Sequence, residues 1–425
     1  MKIISNGKDQ QITVGLDIGS STISCAIAQT IPSSKSVKLL GVSTTNSIGL
    51  KRGVIINRNK LIDALDKVLL DAELMAGVKV SSAILSITGD HIRSMNTHAA
   101  IALNRINATP GGRSERAIND QDIFQVLDLA QAVSLPSDRD ILHTLPQEYL
   151  VDTLDEIKDP TGMFGRRLEG RVHLITAATT AMSNLVRSVE ELGISVDGLV
   201  FQPLASGIAT LENDEMELGV TLVEIGSSTT NIAIYHDNAV RHTAVIPIGA
   251  SSITNDIAVM LQLSLNQAEK IKIKYASAIS SMSSDMLNID ISSNNKISRS
   301  VSENEISKYV EARMQEIFNL IIREISRADI KDPLTYGIVL TGGGAELTNL
   351  ITLAKNTLGV SVRRGSPIRI EGAEDVANKS YYATVMGLLL WPLYANDHVR
   401  EQRSDNQGLK GFIKKNRHTI EEYMI

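Results

Sequence analysis

Two stretches of the chain share an acidic residue followed by Ile-Gly-Ser-Ser-Thr. Asp17 leads the first, in GLDIGSSTISCAIA (15–28), and Glu224 the second, in LVEIGSSTTNIAIY (222–235). Gly19 and Gly226 let the backbone approach a ligand closely. Ser20, Ser21 and Thr22, and likewise Ser227, Ser228 and Thr229, add hydroxyls and successive N–H groups, the chemistry of an anion nest. A carboxylate just before such a nest repels phosphate but can hold a divalent cation through water. Two facing copies would clamp a nucleotide and its metal between them. One copy alone reads equally well as an ordinary Gly-Ser turn, so the repetition carries the inference.

The elements around these residues are those such a clamp needs. Each copy is preceded and followed by β-branched or alternating apolar residues, which predicts strand, tight turn, strand. A spacing this long between copies excludes a solenoid and points to two related lobes. A third glycine loop, Gly342, Gly343 and Gly344, stands between the expected strand and helix of YGIVLTGGGAELTNLITLAKNTLG. The dipole of that helix would point back at the loop, making it a floor for a base. In NQAEKIKIKYA (266–276), Glu269 and Lys272 share one side of an amphipathic helix. A solvated surface pair is the ordinary reading of such a spacing. Further helices are expected at LIDALDKVLLDAELMAG, with Leu61, Leu65, Val68, Leu69, Ala72 and Met75 on the buried face, and at ISKYVEARMQEIFNLIIREI. Alternation of strand and helix predicts layered α/β lobes. Residues 88 to 167 differ in character and read as a small inserted domain of roughly 80 residues.

Composition sets the limits. With 425 residues, 43% apolar and only 4% aromatic, the chain can bury several cores. A net charge of −6 disfavours general nucleic-acid binding, so no nucleic-acid partner is expected. The single cysteine, Cys25, follows the first turn and reads as a packed core thiol. The N-terminal MKIISNGKDQ lacks a signal-peptide core, and ATVMGLLLWPLYA (383–395) is short for a bilayer and interrupted by Pro392. The expectation is a cytoplasmic protein.

The order GLDIGSST, FQPLASG, VEIGSSTTNIAIY, AEKIK and LTGGGAEL resembles the superfamily of actin, sugar-kinase and heat-shock-chaperone ATPases. Within it, PQEYLVDTLDEIKDPTGMFGRRLEGRVHLIT, RHTAVIPIGASSITNDIA and GVIINRNKLIDAL resemble the bacterial actin-like cell-division family FtsA, over about residues 10 to 395. The resemblance implies an α/β, actin-like two-lobed fold with ribonuclease H-like duplicated lobes and an inserted α+β subdomain in the first. Residues 10–87, 168–212 and 376–395 would form the first lobe and 88–167 the insertion. Residues 213–262 and 334–375 would form the core of the second lobe, and 263–333 its outer subdomain.

The resemblance further implies ATP and Mg2+ between the lobes, self-assembly into filaments, and contact with other divisome proteins. It implies recruitment of the tubulin-like FtsZ to the cytoplasmic side of the membrane at the division septum. Asp17, Gly19, Ser20, Ser21 and Thr22 match the family's first phosphate loop, and Glu224, Gly226, Ser227, Ser228 and Thr229 its second. Asp17 and Glu224 would hold the metal through water, and Gln202 occupies the position that orients attacking water. Glu269 and Lys272 match the ribose-side pair, and Gly342 to Gly344 the adenine loop. The second loop departs from the usual Asp-Ile-Gly-Gly-Gly-Thr. Glu224 reaches further and two serines add side chains, so ATPase activity is expected to be weak or absent. Alternatives are a pilus-assembly adaptor of the PilM type, which the PQEY segment disfavours, and a small-molecule kinase, for which no clear catalytic aspartate stands out.

The end of the chain reads as a polar linker (396–407) and an amphipathic segment (408–425). On a helix, Leu409, Phe412, Ile413, Ile420, Tyr423 and Met424 fall within an arc of about 120°, bordered by Lys410, Lys414, Lys415 and Arg417. Such a segment suits an anionic membrane surface, lying in its plane, and the family has a membrane-targeting helix here. A disordered tail or a helix docked on the body are the competing readings.

Overall fold

The computed structural model describes residues 11–103, 115–292, 298–328, 330, 333–372 and 379–399. The amphipathic segment 408–425 therefore lies outside the described residues.

The first lobe opens with an antiparallel meander, β1 (Ile12–Ile18), β2 (Thr22–Ile31) and β3 (Ser36–Asn46). A short hairpin, β4 (Leu50–Lys51) and β5 (Val54–Ile55), leads to helix α1 (Arg58–Ala76), capped by the Asn57 side chain and ended by Gly77 in the left-handed region. Leu61, Leu65, Val68, Leu69 and Ala72 face the core as their spacing predicts, but Met75 is 63% exposed. It lies two residues before the cap, where the apolar stripe has rotated off the sheet. Strand β6 (Ser82–Ile87) pairs parallel with β1.

The inserted domain follows. It contains β7 (Arg93–Ala102), the two-residue β8 (Arg116–Ala117), α2 (Asp120–Gln131), β9 (Arg139–Val151), β10 (Leu154–Ile157), β11 (Phe164–Gly165) and β12 (Arg167–Ala178). Its sheet runs β10-β9-β12-β7, with α2 packed on β7 and β12. Strand β12 corrects the expected boundary. RVHLITAA pairs along its length with β7 and β9, so the insertion ends near Ala178 rather than at 167, because a central strand must be satisfied on both edges. The domain also leans on the second lobe, Gln147 Nε2 donating to Val240 O at 2.8 Å and Ser94 Oγ to Thr243 O at 2.7 Å. Glu148 bridges Arg171 and Arg241.

After α3 (Thr179–Glu190), strand β13 (Ser195–Phe201) pairs parallel with β6 and runs into α4 (Gln202–Thr210) and α5 (Asn213–Leu218). The second lobe then repeats the first: meander β14 (Val220–Ile225), β15 (Thr230–His236) and β16 (Ala239–Ile246), followed by helices α6 (Ala250–Leu261) and α7 (Leu265–Tyr275). A small hairpin, β17 (Asn288–Ser292) and β18 (Ser298–Ser302), precedes α8 (Glu303–Arg327). Strands β19 (Ile338–Thr341) and β20 (Val362–Arg364), separated by α9 (Leu350–Leu358), complete the sheet. Its order, β16-β15-β14-β19-β20, is that of β3-β2-β1-β6-β13 in the first lobe, three antiparallel strands and two parallel ones. The repeated hairpins thus belong to duplicated α/β lobes. Helix α8 packs on this sheet, Ile306, Val310 and Met314 lying in one cluster with Val223 and Ile232.

Strand β21 (Ile370–Glu371) returns to the edge of β3, and α10 (Ala383–Val399) closes the described chain. Pro392 does not end α10, which continues through it to Val399 and takes in the first residues of the expected linker. Among the described residues, α4–α5 and 365–370 carry the chain between the lobes. The passages are bonded to each other: Ile368 N donates to Ala209 O at 2.7 Å, and Arg369 reaches the carbonyls of Ile208 and Leu211.

Candidate functional site

Each hairpin turn closes identically, Gly19 N donating to Thr22 O at 3.0 Å and Gly226 N to Thr229 O at 2.9 Å. A Cβ at Gly19 would stand 2.8 Å from Thr22 O, so this glycine serves the turn itself. The register sets Asp17 opposite Ser24 and Glu224 opposite Asn231. The two loops meet, with Ser228 Oγ donating to Ser20 Oγ at 2.8 Å. The second loop is braced from behind by α6, whose orphan first-turn amides find partners there: Ala250 N bonds Gly226 O at 2.9 Å and Ser251 N bonds Ser227 O at 2.8 Å.

Beneath the loops lies a buried polar line. Asp17 Oδ1 accepts from Ser86 Oγ at 2.6 Å and from Gln202 Nε2 at 2.8 Å. Gln202 Oε1 accepts from Asn231 Nδ2 at 3.2 Å, and the same Nδ2 donates to Glu224 Oε2 at 3.0 Å. Thr384, in the first turn of α10, donates to Glu224 Oε1, and Thr88 donates to Asn231 Oδ1 at 2.8 Å. Asp17 and Glu224 thus come together through two amides, and both ends of the Gln202 amide are engaged. Burial pushes the Glu224 carboxyl up to about 7 against the pull of its hydrogen bonds from Thr384 and Asn231, and the Asp17 charge adds to the rise. Burial likewise raises Asp17, opposed by Ser86 and Gln202.

Glu269 keeps 43% of its side chain exposed, whereas Lys272 is largely covered. Lys272 Nζ meets Glu269 Oε2 at 2.8 Å and Thr254 Oγ1 at 2.9 Å, and it donates to Ala250 O at 3.3 Å. The pair is therefore packed on α6, next to the residue that braces the second loop. At the third loop, Cβ atoms on Gly342 and Gly344 would stand 2.7 Å from Ile225 O and 2.3 Å from Ile225 Cγ2, whereas Gly343 would meet only Tyr381 Cβ at 3.9 Å. Two of the three glycines thus serve packing on β14, and Gly343 alone has room for a Cβ. The helix expected directly after this loop begins only at Leu350, behind a 3-10 turn over Gly343–Glu346.

Among the described residues no group of three His, Cys, Asp or Glu is gathered. The oxygen set of Asp17, Glu224, Ser86 and Thr384 fits a hard cation such as magnesium, which keeps several waters and shares itself with phosphate. The sequence reading missed Ser86, Thr88, Asn231 and Thr384. Asn231 had a legible signal, because superposing the two hairpin sequences sets it against Ser24, directly across from the carboxylates.

The family profile described as "Cell division protein FtsA" matches residues 221–387, and "SHS2 domain inserted in FTSA" matches residues 89–176. The chain is 38% identical to the cell division protein FtsA of Pseudomonas aeruginosa over 394 residues, 92% of this chain and 91% of that protein. It is 33% identical to the cell division protein FtsA of Escherichia coli (strain K12), covering 90% of each. Among solved structures it is similar to a chain of the PilM-PilN type IV pilus biogenesis complex, with a TM-score of 0.63 at 16% identity, covering 90% of this chain and 98% of that one. MreB 5 of Spiroplasma citri bound to AMPPNP gives 0.54 at 12% identity, covering 93% and 100%. These structural likenesses show the actin-like fold.

Proposed function

The chain belongs to the FtsA family of cell division proteins, and from that premise we propose that it binds ATP with Mg2+ between its lobes and tethers FtsZ to the membrane. The observation that carries the nucleotide reading is the meeting of the two serine loops, Ser20 against Ser228, above the Asp17 and Glu224 carboxylates. Ser20 to Thr22 and Ser227 to Thr229 would take the phosphates. Asp17 and Glu224 would hold the cation through water, which supplies the charge that offsets the phosphates. Glu269 and Lys272 would lie on the ribose side, and Gly343 would admit the base. Turnover is slow or absent in this reading, because Glu224 and the two serines displace the metal and Gln202 is already bonded at both ends.

Copies of the chain would assemble into filaments on the cytoplasmic side of the membrane at the septum, with the segment 408–425 lying on anionic lipid. Among the described residues no helix is long and apolar enough to cross a membrane, which fits a peripheral attachment. FtsZ and other divisome proteins are the partners.

Thermal denaturation tests the core of this reading. At a hundredfold excess over its dissociation constant, Mg-ATP should stabilise the fold by about 2.7 kcal/mol. An unchanged melting temperature at millimolar Mg-ATP would overturn it. Electron microscopy on anionic vesicles with and without ATP then tests assembly.

A further inference from the structure

Asn231 is fully buried and belongs to the second lobe, as does Glu224, whereas Gln202 and Thr88 belong to the first. Two of its three hydrogen bonds, to Gln202 and to Thr88, therefore join the lobes at the floor of the cleft. With both carboxylates ionised, as holding a cation requires, the polarity of the line leaves no choice of side chain. An ionised carboxylate only accepts, so Gln202 must turn its Nε2 toward Asp17 and present Oε1 to its neighbour. That neighbour must donate twice, to Gln202 and to Glu224, and must accept once from Thr88. Asparagine does all three, and ionised aspartate of the same size has no donor. The arrangement is not inherited from the duplication, since Ser24 at the matching place in the first hairpin pairs with Thr44 of its own sheet at 3.0 Å. Thr88 extends the line further, because it directly follows β6, where the chain leaves for the inserted domain, and Gly89 after it has a φ of 150°.

We propose that Asn231 is a positioning residue for the nucleotide-bound cation: it holds Glu224 directly and Asp17 through Gln202 in one line across both lobes, and ties that line through Thr88 to the root of the inserted domain. The proposal rests on the magnesium-ATP reading of the cleft for its cation role, while the bridge between lobes stands on the hydrogen bonds alone. A partner of this kind sets which carboxylate oxygens remain for metal-bound water, so its loss reaches the metal without removing a phosphate contact.

The test uses the full-length protein with Asn231→Asp, which keeps size and loses both donors, and Asn231→Ala. ATP affinity is measured with magnesium and in EDTA. The magnesium-dependent gain should fall about tenfold or more in both variants, while the EDTA value stays near that of the wild type. A parallel fall under both conditions, or no change in either, overturns the cation role, as does a wild type whose ATP binding does not depend on magnesium; a wild type that binds no ATP under either condition removes the nucleotide reading as well. Amide exchange of the nucleotide-free protein tests the bridge. Asn231→Ala should speed exchange around Thr88 and Gln202 in the first lobe, and an effect confined to Val220–His236 overturns it.

Discussion

The Ser20 and Ser228 hydroxyls, on loops from different lobes, stand 2.8 Å apart and form the contact that a ligand between the loops would have to part. Cysteines at both positions should form a disulfide under mild oxidation, since side-chain tips already in contact are within bridging reach. The native Cys25 will not compete, being buried with its thiol pushed up to about 12. Mg-ATP should slow the crosslink, read as a mobility shift on non-reducing gels. Equal rates with and without nucleotide would place the ligand elsewhere.

The second prediction concerns pH. The Glu224 carboxyl is raised from its ordinary 4.5 to about 7, chiefly by burial. Between these values the folded chain holds a proton that the unfolded chain has lost. The stability this confers is full below about 4.5 and is lost as pH rises toward 7, an effect on the order of 3 kcal/mol. Glu224→Gln should therefore gain on the wild type from pH 5 to pH 7.5 in EDTA, then run parallel to it. Burial lowers His143 to about 4 and His173 to about 3, so their contributions are lost as pH falls below the ordinary 6.5, the opposite direction. They cancel in the difference between variant and wild type. A difference in melting temperature that is flat with pH would mean that Glu224 titrates normally.

The glycine loop separates packing from ligand access. Gly344→Ala, whose Cβ would overlap the Ile225 side chain, should destabilise by about 1–3 kcal/mol. Gly343→Ala should melt like the wild type and bind ATP more weakly. Denaturation curves and nucleotide titrations of the pair decide the matter, and equal stability losses would refute the distinction.

A fourth prediction concerns the C-terminal segment. An 18-residue helix is about 27 Å long and binds a surface weakly by itself. Filaments would display many such helices together and raise avidity by a factor of about 10² or more. Phe412→Glu should release the protein from anionic liposomes and leave ATP binding intact. The matching truncation belongs after Val399, since a cut at Asn396 would remove helical residues of α10. Full sedimentation of that truncated chain would rule out the segment as the attachment.

The duplicated hairpins were legible because Asp17-Ile-Gly-Ser-Ser-Thr and Glu224-Ile-Gly-Ser-Ser-Thr repeat turn chemistry that local sequence dictates. The insertion was legible at its start, and its end was missed because β12 looks like any β-branched strand and only its partners β7 and β9 assign it. Pro392 misled as a breaker, since surrounding packing overrides a local preference. The hydroxyls of Ser86, Thr88 and Thr384 were invisible for another reason. They come from separate parts of the chain, and only the assembled lobes bring them to one polar line.

The bonded passages between the lobes, Ile368 to Ala209 and Arg369 to Ile208 and Leu211, have a mechanical consequence. Two separate connections would let the lobes shear or twist independently, but two laced side by side form a single spine. Motion about that spine is then an angle, and points move in proportion to their distance from it, so a small parting at Ser20 and Ser228 is magnified by lever arm in the parts of the molecule that lie farther out.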